Sequence, residues 1–253
     1  MALLETRGLS IRFGGHLAVS DVDLDVEAGA VTGLIGPNGA GKTTTFNLIC
    51  GVLAPTGGRV VLDGRQIGGL GTHTRARLGI GRTFQRLEVF GSMTARDNVL
   101  VAAEIRRGWG RTHSVAPQLL AAGAELSLDD EVDLLIERLG LADVADVRAG
   151  QLPTGQARLV EIARALAIRP RVLLLDEPAS GLDDAESVQL GELMAQLADA
   201  GLGILLVEHD VSLVMRVCSQ VYVLDFGSVI DHGTAEHVQQ SVVVRDAYLG
   251  STV

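Results

Sequence analysis

Eight consecutive residues, Gly36-Pro37-Asn38-Gly39-Ala40-Gly41-Lys42-Thr43, have the composition and spacing of a loop that wraps a chain of phosphates. The glycines let the backbone curl so that its N–H groups point inward at phosphate oxygens. Lys42 is then placed to reach the β and γ phosphates, and Thr43, with Thr44 beside it, offers a hydroxyl to Mg²⁺. A second group of reactive residues is the pair Asp176-Glu177 at the end of the apolar run 172–175. Asp176 suits a metal-water ligand, and Glu177, one residue beyond, suits a general base. An acidic pair at a strand end can also cap a helix; with the phosphate loop upstream, the catalytic reading prevails.

Such a loop needs a strand before it and a helix after it, and residues 31–35 and 43–50 supply both patterns. Residues 31–35, 172–175 and 204–207 are apolar throughout, as strands covered on both faces must be, which predicts a parallel sheet between helices and an α/β fold. Residues 17–26 instead alternate apolar with polar, and 59–62 lead into Asp63-Gly64, so the N-terminal part is expected to hold antiparallel strands with a turn. From about 92 to 170 no strand signal occurs. Thr94 is placed to cap one helix, Ser127 another that ends at Gly140, and Leu159, Ile162, Ala163 and Leu166 mark an amphipathic helix after Gly155. Arg106-Arg107-Gly108-Trp109-Gly110-Arg111 reads as a flexible loop.

Composition removes several function classes. At 253 residues the chain can bury a full-sized core, and its two cysteines, Cys50 and Cys218, fit neither a disulfide framework nor a metal site. Mean hydropathy is high, at +0.30, yet no apolar run approaches the ~20 residues of a membrane span. The start of the chain, Met1-Ala2-Leu3-Leu4-Glu5, predicts no secretory signal. A net charge of −10 argues against a nucleic-acid partner. Of 21 basic residues only Lys42 is lysine, so no Asn-Lys-x-Asp guanine reader can exist and a GTPase is disfavoured.

The remaining motifs come in a fixed order. Gln85 follows Arg82-Thr83-Phe84; Leu152-Pro153-Thr154-Gly155-Gln156 opens the amphipathic helix; Ser180-Gly181-Leu182-Asp183 and His209 come after the carboxylates. From Phe13 to about Gly233 the chain resembles an ATP-binding cassette (ABC) ATPase. The resemblance implies one domain over 1–253: a P-loop NTPase core with a mostly parallel sheet and an N-terminal antiparallel β subdomain (1–91 and 171–253), and a helical subdomain (92–170) carrying the signature motif. It implies that Phe13 stacks on adenine, that Gln85 reaches Mg²⁺ and the attacking water, that His209 contacts the γ phosphate, and that Asp183 lies in the loop crossing between two cassettes. Mg²⁺ would be held by Thr43, Gln85 and, through water, Asp176. The implied enzyme is a dimer closing over two ATP molecules, each nucleotide lying between one chain's phosphate loop and the other's residues 154–156.

The signature departs from the usual Leu-Ser-Gly-Gly-Gln at Pro153 and Thr154, and proline lacks the serine hydroxyl that would touch the γ phosphate. Phe13-Gly14-Gly15, Thr43 through Ile49, Arg82-Thr83-Phe84-Gln85 and Ala247-Tyr248-Leu249-Gly250 resemble ATPases of branched-chain amino acid importers. That implies a second cassette, identical or paralogous, integral membrane permease subunits, indirectly a solute-binding protein, and a peripheral place on the cytoplasmic face of the membrane. A urea or amide importer, or a lipopolysaccharide exporter, shares much of the pattern. A non-transport cassette protein fits less well, since the chain has neither two cassettes nor a long coiled coil.

Overall fold

The computed structural model describes residues 2–109 and 126–250. Its strands are β1 Leu4–Phe13, β2 His16–Val26, β3 Val31–Ile35, β4 Gly57–Leu62, β5 Arg65–Gln66, β6 Ile80–Arg82, β7 Val172–Asp176, β8 Gly203–Val207, β9 Gln220–Asp225 and β10 Ser228–Gly233. Its α-helices are α1 Lys42–Cys50, α2 Thr72–Arg77, α3 Ala95–Gly108, α4 Leu128–Arg138, α5 Thr154–Ala167, α6 Asp184–Asp199, α7 Val211–Val217, α8 Ala235–Gln240 and α9 Val242–Gly250.

The apolar runs form the middle of a six-stranded sheet in the order β10-β9-β3-β8-β7-β6, parallel except for β10. Successive side chains of a strand point to opposite faces, and each of these strands feeds two cores. Leu173, Leu175, Ile204 and Leu206 pack toward the helices, with Val99, Leu135, Ile162 and Met194. Val172, Leu174, Leu205 and Val207 pack on the other face with α1 residues Phe46 and Ile49 and with the second sheet. A strand covered on both sides has few polar positions to spare, hence the apolar runs; the exception is Thr32 of β3, which is buried with its hydroxyl donating to the Asp25 carbonyl at 3.3 Å.

The second sheet is antiparallel, in the order β2-β1-β4-β5. Asp63 and Gly64 join β4 to β5 with φ of 50° and 72°, the two positive values a type I′ hairpin turn demands. Parallel pairing places Ile35, Asp176 and Val207 at the same edge of the main sheet, because Leu34 lies opposite Val207 and Asp176 opposite Val207. The loops that follow β3, β7 and β8 therefore emerge together, in the usual place for a ligand site in an open α/β sheet.

Helices α3, α4 and α5 occupy the stretch 92–170, where a single β-bridge, Thr94 with Arg148, is the one extended pairing among the described residues. Thr94 accepts the Asp97 amide and Ser127 the Asp130 amide, so both expected N-caps are in place. Gly140, at φ 68°, lies just past the end of α4. Thr94→Ala should lower stability by about 1 kcal/mol, a fall of about 2–4 °C in the midpoint of a thermal melt. An unchanged midpoint would refute that cap.

The arginine-rich loop needs correction. Arg106, Arg107 and Gly108 form the last turn of α3, and Trp109 is its C-cap; residues 110–111, and most of the expected insertion 105–125, lie outside the described residues. The Arg106 guanidinium meets the buried Glu131 carboxylate at 2.6 Å through each terminal nitrogen, and Arg169 meets the same carboxylate at 2.9 and 3.0 Å. Burial alone would raise the Glu131 carboxyl, but the two guanidinium groups hold it below its ordinary value. Composition reads such arginines as loop; in the fold Arg106 is held by a carboxylate 25 residues later in the chain, and Arg107 lies 4.0 Å from Glu104 of the same helix.

Candidate active site

The loop 36–41 leaves β3 and turns into α1 through left-handed glycines, with Gly39 at φ 82° and Gly41 at φ 105°. Gly36, at φ 150°, passes so close to β9 that a Cβ there would overlap the Leu224 carbonyl oxygen. Lys42 opens α1 and folds back over the loop, its Nζ donating to the carbonyls of Gly36 at 2.6 Å and Pro37 at 3.0 Å. Burial lowers its ammonium pKa, and the nearby Glu177 and Asp176 charges act the other way. A buried ammonium held in a ring of inward-facing backbone groups can take on phosphate oxygens.

A cavity of about 420 Å³ gathers Phe13, His16, Ala18, Asn38, Gly39, Ala40, Gly41, Lys42, Thr43, Thr44, Gln85, Glu177 and His209, a size within the range of small-molecule sites. The Phe13 ring is half exposed at its rim. Glu177 takes positive φ, 50°, and its amide donates to Val207 at 2.8 Å, so the turn out of β7 is fastened to β8. Its carboxylate bridges two loops: Gln85 Nε2 donates to one oxygen at 3.0 Å, and His209 Nε2 lies 2.7 Å from the other. With the proton on Nε2, the imidazole donates to the carboxylate. A carboxylate fixed between an amide and an imidazole, beside a phosphate cradle, can orient a water for attack.

Asp176 lies beneath, almost wholly buried. One carboxylate oxygen takes Arg82 at 3.3 Å, and the other, Oδ1, has no partner among the described residues. Burial raises its pKa, with Arg82 opposing.

Thr154, Gly155, Gln156 and Asp183 do not line this cavity. They come together elsewhere. Thr154 and Gly155 open α5 behind Pro153, an N-cap with no side-chain acceptor. Gly155 lies against Glu186 so tightly that a Cβ there would overlap its carboxylate. Asp183 caps α6 in a capping box with Glu186, accepting its amide at 2.8 Å. Gly155, Gln156 and Glu186 face a second cavity of about 410 Å³ between α4, α5 and α6.

Sequence reasoning passes over four neighbours. Arg82 joins Asp176 to Asn47 of α1, 2.6 Å away, and stacks over Phe84 at 4.9 Å. Glu208 is buried and accepts the amides of Ala179 at 2.7 Å, His209 at 3.0 Å and Asp210 at 3.4 Å, tying the loop after Glu177 to the loop of His209. Its position directly before His209, at the end of an apolar strand, is the signal that could have found it. Arg158 and Glu161, on α5, hold the backbone of Phe84 and Gln85.

Residues 19–180 match the family model described as ABC transporter. The chain is 41% identical to the high-affinity branched-chain amino acid transport ATP-binding protein BraF of Pseudomonas aeruginosa and 40% identical to LivG, described in the same words, of Escherichia coli; each alignment covers 98% of both chains. It is 36% identical to the lipopolysaccharide export system ATP-binding protein LptB of Escherichia coli, over 99% of this chain and 98% of that one. An ATP-binding cassette of an ABC transporter solved in its ADP conformation superposes with a TM-score of 0.86 at 30% identity, covering 99% of each chain. The glycine-rich loop after β3, the carboxylates at the end of β7 and the histidine after β8 thus stand in the fold of a known group of enzymes, and the chain belongs to the ABC transporter family as one of its ATP-hydrolysing cassettes.

Proposed function

We propose that this cassette drives uptake of branched-chain or other hydrophobic amino acids, working with a second cassette, identical or paralogous, beneath integral membrane permease subunits at the cytoplasmic face. A solute-binding protein would deliver the solute to the permease. No helix among the described residues is long and apolar enough to cross a membrane, so permeation falls to other chains. The observation that carries the reading is the single cavity joining the phosphate loop, Gln85, Glu177 and His209. The two importer relatives above support the solute class; the lipopolysaccharide relative, at lower identity, supports the second reading of an exporter.

In this reading Lys42 and the loop amides of residues 38–43 hold the β and γ phosphates of ATP, and Phe13 covers the adenine. Glu177 orients water and accepts its proton, while Gln85 and His209 hold the Glu177 carboxylate in place and His209 faces the γ phosphate. Mg²⁺ fits this site, because the oxygens of Thr43 and Gln85 and, through a water, the orphaned Asp176 Oδ1 are the hard donors it takes. When bound it would neutralise phosphate charge. The placing of Thr154, Gly155, Gln156 and Asp183 outside the cavity supports a dimer, in which they meet the partner's nucleotide.

Reconstitution with its co-purifying membrane subunits tests the assignment. ATP-dependent accumulation of labelled leucine in vesicles is expected, and lipopolysaccharide release without amino acid uptake would transfer the chain to the exporter reading. Within the signature, Pro153→Ser should leave the ATPase rate unchanged or raise it. Serine at the α5 N-cap supplies the acceptor that proline lacks, together with a hydroxyl for phosphate. A large fall in rate would mean that the segment is shaped around proline.

A further inference from the structure

Arg158 and Glu161 lie in the first two turns of α5 and are 6% and 3% exposed. A buried ion pair seldom stabilises a fold more than apolar residues of the same size, so this one calls for another account. Its contacts supply one. Arg158 donates from Nη1 to the Phe84 carbonyl at 3.0 Å and from Nη2 to the Gln85 carbonyl at 2.7 Å. Glu161 accepts Arg158 Nη1 at 3.1 Å on one oxygen and the Phe84 amide at 3.2 Å on the other. The last bond from this segment to the sheet is the Thr83 amide to Leu174. Beyond it, three backbone groups of Phe84 and Gln85 are held by α5 side chains.

We propose that Arg158 and Glu161 are positioning residues, a clamp through which the N-terminal end of α5 sets the place of Gln85 and, through Gln85, of the Glu177 carboxylate. The inference rests on the dimer reading above, in which residues 154–156 meet the nucleotide of the partner cassette. Arg158 lies one helical turn after Thr154, on the same side of α5. The other end of the helix is seated in the core by Ile162, Ala163 and Leu166. A shift of α5 at Thr154 therefore carries the guanidinium and the two carbonyls it grips. Gln85 Nε2 and Glu177 Oε2, 3.0 Å apart, move with them. The base of one site thereby registers whether the nucleotide of the other site is in place.

The test uses the full chain. Arg158→Lys keeps a charge beside Glu161 but cannot fork to two carbonyls. It should melt and bind ATP like the parent, with KM little changed, while kcat falls about tenfold, the scale expected for a misplaced catalytic group. Arg158→Met combined with Glu161→Met removes both members of the pair and their grip on Phe84 and Gln85, and should show the same loss; a thermal melt separates this from the loss of Glu161 as the charge neighbour of the half-buried Arg164. Thr154→Ala alone should lower kcat, and in either clamp variant it should add less than its own effect. Parental kcat in Arg158→Lys, strictly additive losses, or no effect of Thr154→Ala would each overturn the relay. Sedimentation of Glu177→Gln with ATP decides the reading beneath it. Failure to dimerise removes the dimer and the relay together, whereas a dimer with additive losses removes the relay alone.

Discussion

Glu177→Gln should retain ATP and lose turnover by about 10²–10⁴-fold, the range a positioned general base contributes. The substitution keeps the size of the side chain but leaves no carboxylate to accept a proton from water. The loop, Lys42 and Thr43 remain as they were, so affinity for ATP measured by equilibrium titration should match the parent. The backbone at Glu177 takes positive φ and is fastened by its amide to Val207, and neither feature depends on the charge. Bound, unhydrolysed ATP should hold two cassettes together, seen as an ATP-dependent doubling of mass in sedimentation. Near-parental hydrolysis would refute the role of Glu177 as base.

Gly36→Ala should abolish nucleotide binding and cost the fold about 3 kcal/mol or more, placing it among the severe single substitutions. The new methyl group would enter the space of the Leu224 carbonyl oxygen and press on Ala40. Retreat of β9 is blocked by its ladder with β3, in which Ile35 pairs with Val223. Gly39→Ala is the control. Its Cβ meets nothing within 4 Å, so only the left-handed backbone, φ 82°, opposes it, at about 1–2 kcal/mol. Denaturant titration and ATP binding on the two variants separate collision from strain; a Gly36→Ala protein with parental midpoint and affinity would refute the argument.

Much of this site is legible in the sequence because its chemistry is local. The phosphate loop, Asp176-Glu177 and His209 each follow an apolar strand, and strands buried on two faces advertise themselves by composition. Strand β6 is three residues long and carries no such signal, although it places Arg82 beside Asp176. Arg158 and Glu161 were hidden for another reason. On a helix whose apolar side is Leu159, Ile162, Ala163 and Leu166, charged residues read as solvent-facing. Their partners, Phe84 and Gln85, lie more than 70 residues earlier in the chain. Periodicity finds the face of a helix, not the loop that will cover it. The same blindness turned Arg106 into part of an expected loop, since Glu131 is a contact of the folded chain alone.

The position of Lys42 also bears on how the protein can be tagged and marked. The chain carries a single ε-amine, and the fold places it over the loop 36–41, against the carbonyls of Gly36 and Pro37, where we propose that phosphate binds. Acetylation, carbamylation or attachment of a modifier protein through lysine has no neutral surface position to use: every such event on a side chain falls on the group that would grip ATP. Amine-directed crosslinkers are likewise left, among side chains, with this one lysine, and carboxylate-directed reagents have the 31 Asp and Glu residues of the chain to use.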